Sequence, residues 1–108
     1  MKIGIIGLGL MGGSFALDIK TPFPNSIIYG IDNSAENLNK AKEIGLIDLI
    51  ISYKDLRKMD LILVAVPVSH SLNLIPKVLD LINSNTLVFD VGSTKQAICE
   101  LLNDHPKR

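Results

Sequence analysis

Gly7, Gly9 and Gly12 stand in the stretch GLGLMG, directly after an apolar run, Ile3 to Ile6, and directly before a segment suited to a helix. Strand, glycine turn and helix in that order are what a backbone needs to hold a pyrophosphate. The first glycine permits a tight turn, the second keeps a Cβ away from the phosphates, and the third lets the helix pack closely on the strand. Amides of the first helical turn, around Leu10 to Gly12, then offer the positive end of the helix dipole to an anion without a lysine. Gly7, Leu8, Gly9, Leu10, Met11 and Gly12 are therefore the expected cofactor-binding turn. The plainer alternative is a strand-to-helix turn with no ligand.

Asp32 follows Gly12 by twenty residues, at the end of the next apolar run. A carboxylate there can accept both hydroxyls of an adenosine ribose, with Asn33 beside it. Its negative charge opposes a 2′-phosphate, which favours NAD over NADP, although Asn33 and Ser34 can assist a phosphate. Asp32 can also serve as a helix N-cap, and the two roles are partly compatible. A flavin uses the same fingerprint, but nothing in the 108 residues supplies an isoalloxazine pocket.

The elements that must position these residues are written in the alternation of apolar runs with helical stretches. Ile3 to Ile6, Ile27 to Ile31, Leu61 to Val66 and Leu87 to Val91 are short, rich in Ile and Val and almost uninterrupted, as strands covered on both faces must be. A weaker patch, Asp48 to Ser52, predicts a short strand towards one edge. Met11 to Lys20, Ala35 to Ile44, Ser71 to Leu81 and Lys95 to Leu102 suit helices. Asn33 or Ser34 can N-cap the second of these, and Gly45 sits where a left-handed C-cap is expected. TPFPN, residues 21–25, reads as a loop. The predicted fold is α/β: a Rossmann, doubly wound parallel sheet in three α/β/α layers, forming a single domain over residues 1–108.

In such a sheet the ligand lies beyond the carboxyl ends of the strands, so the segments after the last two apolar runs should line the nicotinamide half. These are AVPVSHS, residues 65–71, with Val66, Pro67 and Val68 beside the cofactor, and DVGSTK, residues 90–95, with Gly92 and Ser93. Ser93 or Thr94 can cap the following helix or reach a substrate hydroxyl. His70 reads as a loop or helix-start residue without a nearby carboxylate partner, and His105 as a tail residue.

Composition removes several other classes. Leu, Ile, Val and Phe make up more than a third of the chain, enough for a real core. Eleven basic and eleven acidic residues cancel, so no basic face points to nucleic acid. The longest uncharged stretches, Ile3 to Leu17 and Leu61 to Pro76, are too short to span a bilayer. The glycines also interrupt the opening segment as a secretory signal. One cysteine, Cys99, suits a reducing cytoplasm and reads as a small buried hydrophobe, and no metal site is expected.

GLGLMGGS at residues 7–14, GID at 30–32, AVPV at 65–68 and DVGSTK at 90–95 together resemble the N-terminal nucleotide-binding domain of the prephenate and arogenate dehydrogenase family. The resemblance covers essentially the whole chain, and AVPV followed by DVGSTK is its specific part. It implies NAD-dependent oxidative decarboxylation of prephenate to 4-hydroxyphenylpyruvate in tyrosine biosynthesis, with hydride leaving the ring carbon that bears the hydroxyl. In the family a histidine accepts the hydroxyl proton. By the resemblance Ser93 matches a serine that contacts the substrate in the same region, while the histidine belongs to a motif beyond Arg108. A helical domain that binds substrate and forms a homodimer is likewise expected outside these residues, so the chain by itself is expected to bind NAD without turning over prephenate. Two other readings remain: a different oxidoreductase of the 6-phosphogluconate-dehydrogenase type, and a dinucleotide-sensing module without chemistry.

Overall fold

Each apolar strand divides its side chains between two cores, and this is why the runs are continuous rather than alternating. The computed structural model describes residues 1–66, 68–82 and 85–90. Within them strands β1 (Lys2–Ile6), β2 (Ile27–Ile31), β3 (Leu49–Ile50), β4 (Leu61–Val64) and β5 (Leu87–Asp90) form one sheet in the order β3-β2-β1-β4-β5. All its pairings are parallel, with Ile3 opposite both Ile28 and Leu61. Helices α1 (Leu10–Lys20) and α2 (Ala35–Glu43) follow β1 and β2, and α3 (Val68–Leu81) joins β4 to β5.

Ile3, Ile5, Leu61 and Leu63 pack with Phe15, Ala16 and Ile19 of α1 and Ala41 of α2. Ile6, Ile62 and Val64 enter a second cluster with Val78 of α3 and with Leu56 and Met59. Every one of these side chains is buried. The period of two within a strand thus feeds two cores on opposite faces, the expected three-layer arrangement.

Several boundaries differ from the sequence expectation, each for a local reason. The edge strand is two residues long rather than five. At Ser52 the chain turns into a 3₁₀ helix, Tyr53–Lys58. The Asp55 carboxylate accepts from the Ser52 amide at 3.3 Å and from its hydroxyl at 3.2 Å, drawing the chain off the sheet. β4 ends at Val64, two residues early, because its neighbour β1 ends at Ile6 and turns away at Gly7; the last ladder bond is Ala65 N–H to the Ile6 carbonyl, 2.7 Å. α3 begins at Val68 rather than Ser71 and runs through Pro76, which is exposed and lacks the N–H that would close one helical hydrogen bond. The predicted helix at Lys95 to Leu102 and the end of the last strand at Val91 lie outside the described residues.

The amino ends of the strands are held by side chains. Asp60 exchanges hydrogen bonds with Lys2, its carboxylate accepting the Lys2 amide at 2.8 Å and its own amide reaching the Lys2 carbonyl at 2.8 Å. Asp48 does the same for Ile28 at 2.8 Å and also pairs with Lys20 at 3.0 Å. Thr86, buried, donates its hydroxyl to the Met59 carbonyl at 2.8 Å. With this end fixed in register, the carboxyl ends of β1, β2 and β4 are held together at the other.

Candidate functional site

Strand order reverses between β1 and β4: the chain steps outward from β1 to β2 and β3, then returns to the other side of β1. At that point α1 and α3 leave on opposite faces, so a crevice opens above the sheet where ligands of this architecture lie. Gly7 makes the turn out of β1 with φ +95°, a conformation that L side chains rarely adopt. A Cβ there would also stand 2.6 Å from the Ala65 carbonyl oxygen. Gly12 lies so close to the turn that a Cβ would collide with the Gly7 carbonyl oxygen, so α1 seats directly on the turn only because that atom is missing. Gly9 is different in kind, since a Cβ there would meet nothing within 4 Å. Its lack of a side chain serves open space, not packing.

Gly9 is also the N-cap of α1. No side chain caps this helix and its first turn carries no acidic residue, so the positive dipole end faces that open space. The backbone of Leu10 and Met11 belongs to this first turn.

Asp32 sits at the end of β2, half-buried, with both carboxylate oxygens engaged by backbone. One accepts the Leu8 amide at 2.7 Å, the other the Ser34 amide at 2.8 Å. The same side chain thus ties the glycine turn to the start of α2: Asp32 is not the N-cap that the sequence offered as its alternative role but supports that cap through the Ser34 amide, and its bond to Leu8 is a role that the sequence reading did not contain. Ser34, not Asn33, is the N-cap of α2, its hydroxyl accepting the Asn37 amide at 3.2 Å. Asn33 is left exposed at the rim. Gly45 has the expected left-handed φ, +82°. Leu8 is placed differently from the other residues of the turn: its amide is taken by Asp32 and its side chain is buried in the α1 core, beside Gly30.

Together these residues wall a cleft of about 250 Å³. Its floor is Ile6, Gly7 and Gly9, one side is Asp32 and Asn33, and the other is Ala65 and Val66. Tyr53, from the 3₁₀ helix, completes the wall, and sequence reading missed it. The signal was the aromatic residue at the exit of the edge strand, which parallel pairing brings level with the end of β2. Of the other expected site residues, the backbone of Val68 and His70 falls in the first turn of α3, and Pro67, Gly92, Ser93, Thr94, Cys99 and His105 lie outside the described residues. A larger, more open groove of about 410 Å³ runs between α1 and α2, past Leu17 and Lys40. It opens from the same turn, sharing Gly9 with the cleft, but lies on the α1–α2 side and lacks the carboxylate. Among the described residues no group of three His, Cys, Asp or Glu side chains is arranged to hold a metal, and no helix is long and apolar enough to cross a membrane.

A five-stranded parallel sheet with a glycine turn at the reversal of strand order, an uncapped helix start and a carboxylate on the adjoining strand defines a Rossmann nucleotide-binding domain. The family described as prephenate dehydrogenase, nucleotide-binding domain, matches residues 15–108. Prephenate dehydrogenase of Lactococcus lactis subsp. cremoris (strain MG1363) is 41% identical over 104 residues, covering 94% of this chain and 29% of that protein. The crystal structure of Synechocystis arogenate dehydrogenase superposes with a TM-score of 0.77 at 31% identity, over 93% of this chain and 36% of that one. Prephenate dehydrogenase from A. aeolicus, in complex with hydroxyphenyl propionate and NAD+, gives 0.73 at 30% identity, over 83% of this chain and 32% of that one. The chain belongs to the family of prephenate dehydrogenase nucleotide-binding domains, and it spans less than a third of the length of the Lactococcus relative.

Proposed function

We propose that this domain binds NAD across the Gly7–Gly12 turn and that the whole protein to which it contributes oxidatively decarboxylates prephenate to 4-hydroxyphenylpyruvate, releasing carbon dioxide as NAD takes the hydride. The observation that carries the reading is the open space in front of Gly9, with an uncapped helix start on one side and the Asp32 carboxylate on the other. NAD, when bound, supplies the hydride acceptor. Amides of Leu10, Met11 and Gly12 hold its pyrophosphate by dipole and hydrogen bonding, and Asp32 accepts the adenosine ribose hydroxyls on the lone pairs that Leu8 and Ser34 leave free. Asn33, Val66, Pro67 and Val68 flank the cofactor.

Gly92 and Ser93 belong to the same proposal through the DVGSTK motif, with Ser93 contacting the substrate hydroxyl and the proton acceptor lying beyond Arg108. The domain is the 1–108 unit of a cytoplasmic homodimer whose substrate-binding half is helical. The crystallised NAD+ complex of the A. aeolicus relative supports the cofactor choice. The Synechocystis likeness favours a second reading, oxidation of arogenate, which carries an amino group where prephenate has an oxo group. Turnover of the two substrates by the whole protein separates these readings.

Calorimetric titration of the chain with NAD and with NADP tests the cofactor assignment. One-to-one binding with NAD at least tenfold tighter is the expected result, because a 2′-phosphate would face the Asp32 carboxylate. A preference for NADP would overturn the role given to Asp32.

A further inference from the structure

Tyr53 is the residue of the cleft that neither the glycine turn nor the ribose carboxylate explains. Its place is set by a local device. Ser52 and Asp55 close the start of the 3₁₀ helix, Leu56 one turn on is fully buried, and the ring of Tyr53 packs on the same cluster of Ile6, Ile31 and Leu56 while its remaining surface lines the cleft. The ring is therefore half-buried, anchored from below and open towards the space beside Asp32 and Asn33. On the reading proposed above, the pyrophosphate lies at Gly9 and the ribose hydroxyls at Asp32. A base attached to that ribose must then leave the carboxylate on the side away from the phosphates. The walls available to it on the side of Asp32 are Asn33 and Tyr53.

We propose that Tyr53 is the base-contact residue of this site, its ring forming a flat wall against which the adenine of an adenosine nucleotide packs, and that it sets preference for purine nucleotides over base-free phosphates. This inference rests on the dinucleotide reading and extends it to a residue of the second core. An aromatic face suits a purine because base–aromatic stacking needs no particular hydrogen-bond pattern, only area and a π surface. The phenolic hydroxyl is not required, so phenylalanine should substitute.

The chain has two tyrosines, Tyr29 and Tyr53, and no tryptophan, so in a Tyr29→Phe background Tyr53 is the sole tyrosine emitter. In that background ADP and NAD should quench the emission on binding, after correction for absorbance, whereas inorganic pyrophosphate should not. Calorimetry on Tyr53→Leu, which keeps apolar volume over Leu56 but removes the ring, should show ADP and NAD weakened on the order of tenfold or more. Tyr53→Phe should stay within about threefold, a change of less than 1 kcal/mol. Undiminished ADP and NAD affinity in Tyr53→Leu, or unchanged emission at calorimetric saturation, would overturn the assignment while leaving the dinucleotide site standing. Failure of the unmodified chain to bind either nucleotide would remove the underlying reading, and the proposal with it.

Discussion

Replacing Asp32 by alanine should damage the fold and the binding site together, because the carboxylate joins two pieces of backbone before any ligand arrives. It accepts the Leu8 amide at 2.7 Å and the Ser34 amide at 2.8 Å. Charge-assisted bonds of this kind contribute about 1.5–3 kcal/mol each when shielded. Asp32 is only half-buried, so water replaces part of both, and the combined loss should be roughly 2–3 kcal/mol. Against a typical total stability of about 5–15 kcal/mol the variant remains folded. Its thermal midpoint should fall by roughly 10–15 °C. NAD affinity should drop about 100-fold, since the variant loses the proposed ribose acceptor and also the bond that holds Leu8, and with it the turn, in place. Urea unfolding and calorimetry on the same preparations check both numbers. If stability changes by less than about 0.5 kcal/mol while NAD binding is lost, Asp32 is a ribose acceptor and not a strut. If both remain unchanged, the account of the site is wrong.

Other substitutions separate packing from ligand space. Gly9→Ala should leave urea stability within about 1 kcal/mol, because a Cβ there meets nothing within 4 Å, yet abolish detectable NAD binding by occupying the space proposed for the pyrophosphate. Gly12→Ala should instead destabilise the chain by about 3 kcal/mol or more, since α1 must lift off the Gly7 carbonyl, and loss of the circular-dichroism melting transition at lower temperature would report it. Burial raises the Asp48 carboxyl, but the Ile28 amide and the hydrogen bond and charge of Lys20 outweigh it and hold the group below its ordinary value of 3.8. A depressed folded value means that the contribution is complete above the unfolded value and lost as pH falls through the folded one. Asp48→Asn should therefore lower the urea midpoint at pH 7, with the gap to the unmodified chain closing as pH falls below about 4; a gap that is constant with pH would contradict the ion pair's role.

The fold was legible where burial acts on a whole segment. Ile3 to Ile6 and Leu61 to Val64 could be read as strands covered on both faces because each successive side chain enters one core or the other. The glycine turn was legible because Gly7 and Gly12 are required by backbone geometry that no other residue meets. Asp32 was legible as an acid at the end of β2 but not as a strut, since its Leu8 partner is 24 residues away in sequence. The 3₁₀ helix was hidden because Lys54, Asp55, Arg57 and Lys58 look like a solvated stretch, with Leu56 as its single buried anchor between them. Tyr53 was missed with it. The edge strand is shorter than its sequence suggests because its apolar residues, Leu49 and Ile50, are exposed and its pairing is cut off by a capping interaction that composition does not reveal.

On the proposed function a dinucleotide lies across the turn between β1 and α1 with its ribose at Asp32. The most direct test is amide chemical-shift mapping of the isotope-labelled chain during titration with NAD. The largest shifts should fall on Gly7, Leu8, Gly9, Leu10 and Gly12 and on Asp32 to Ser34, with smaller ones at Tyr53 and Val66 and none at Phe23, Asn25 and Ser26 at the opposite end of the sheet. Shifts confined to Leu17, Lys40 and Ile44, in the groove between α1 and α2, would contradict the account and move the ligand to the α1–α2 side of the turn.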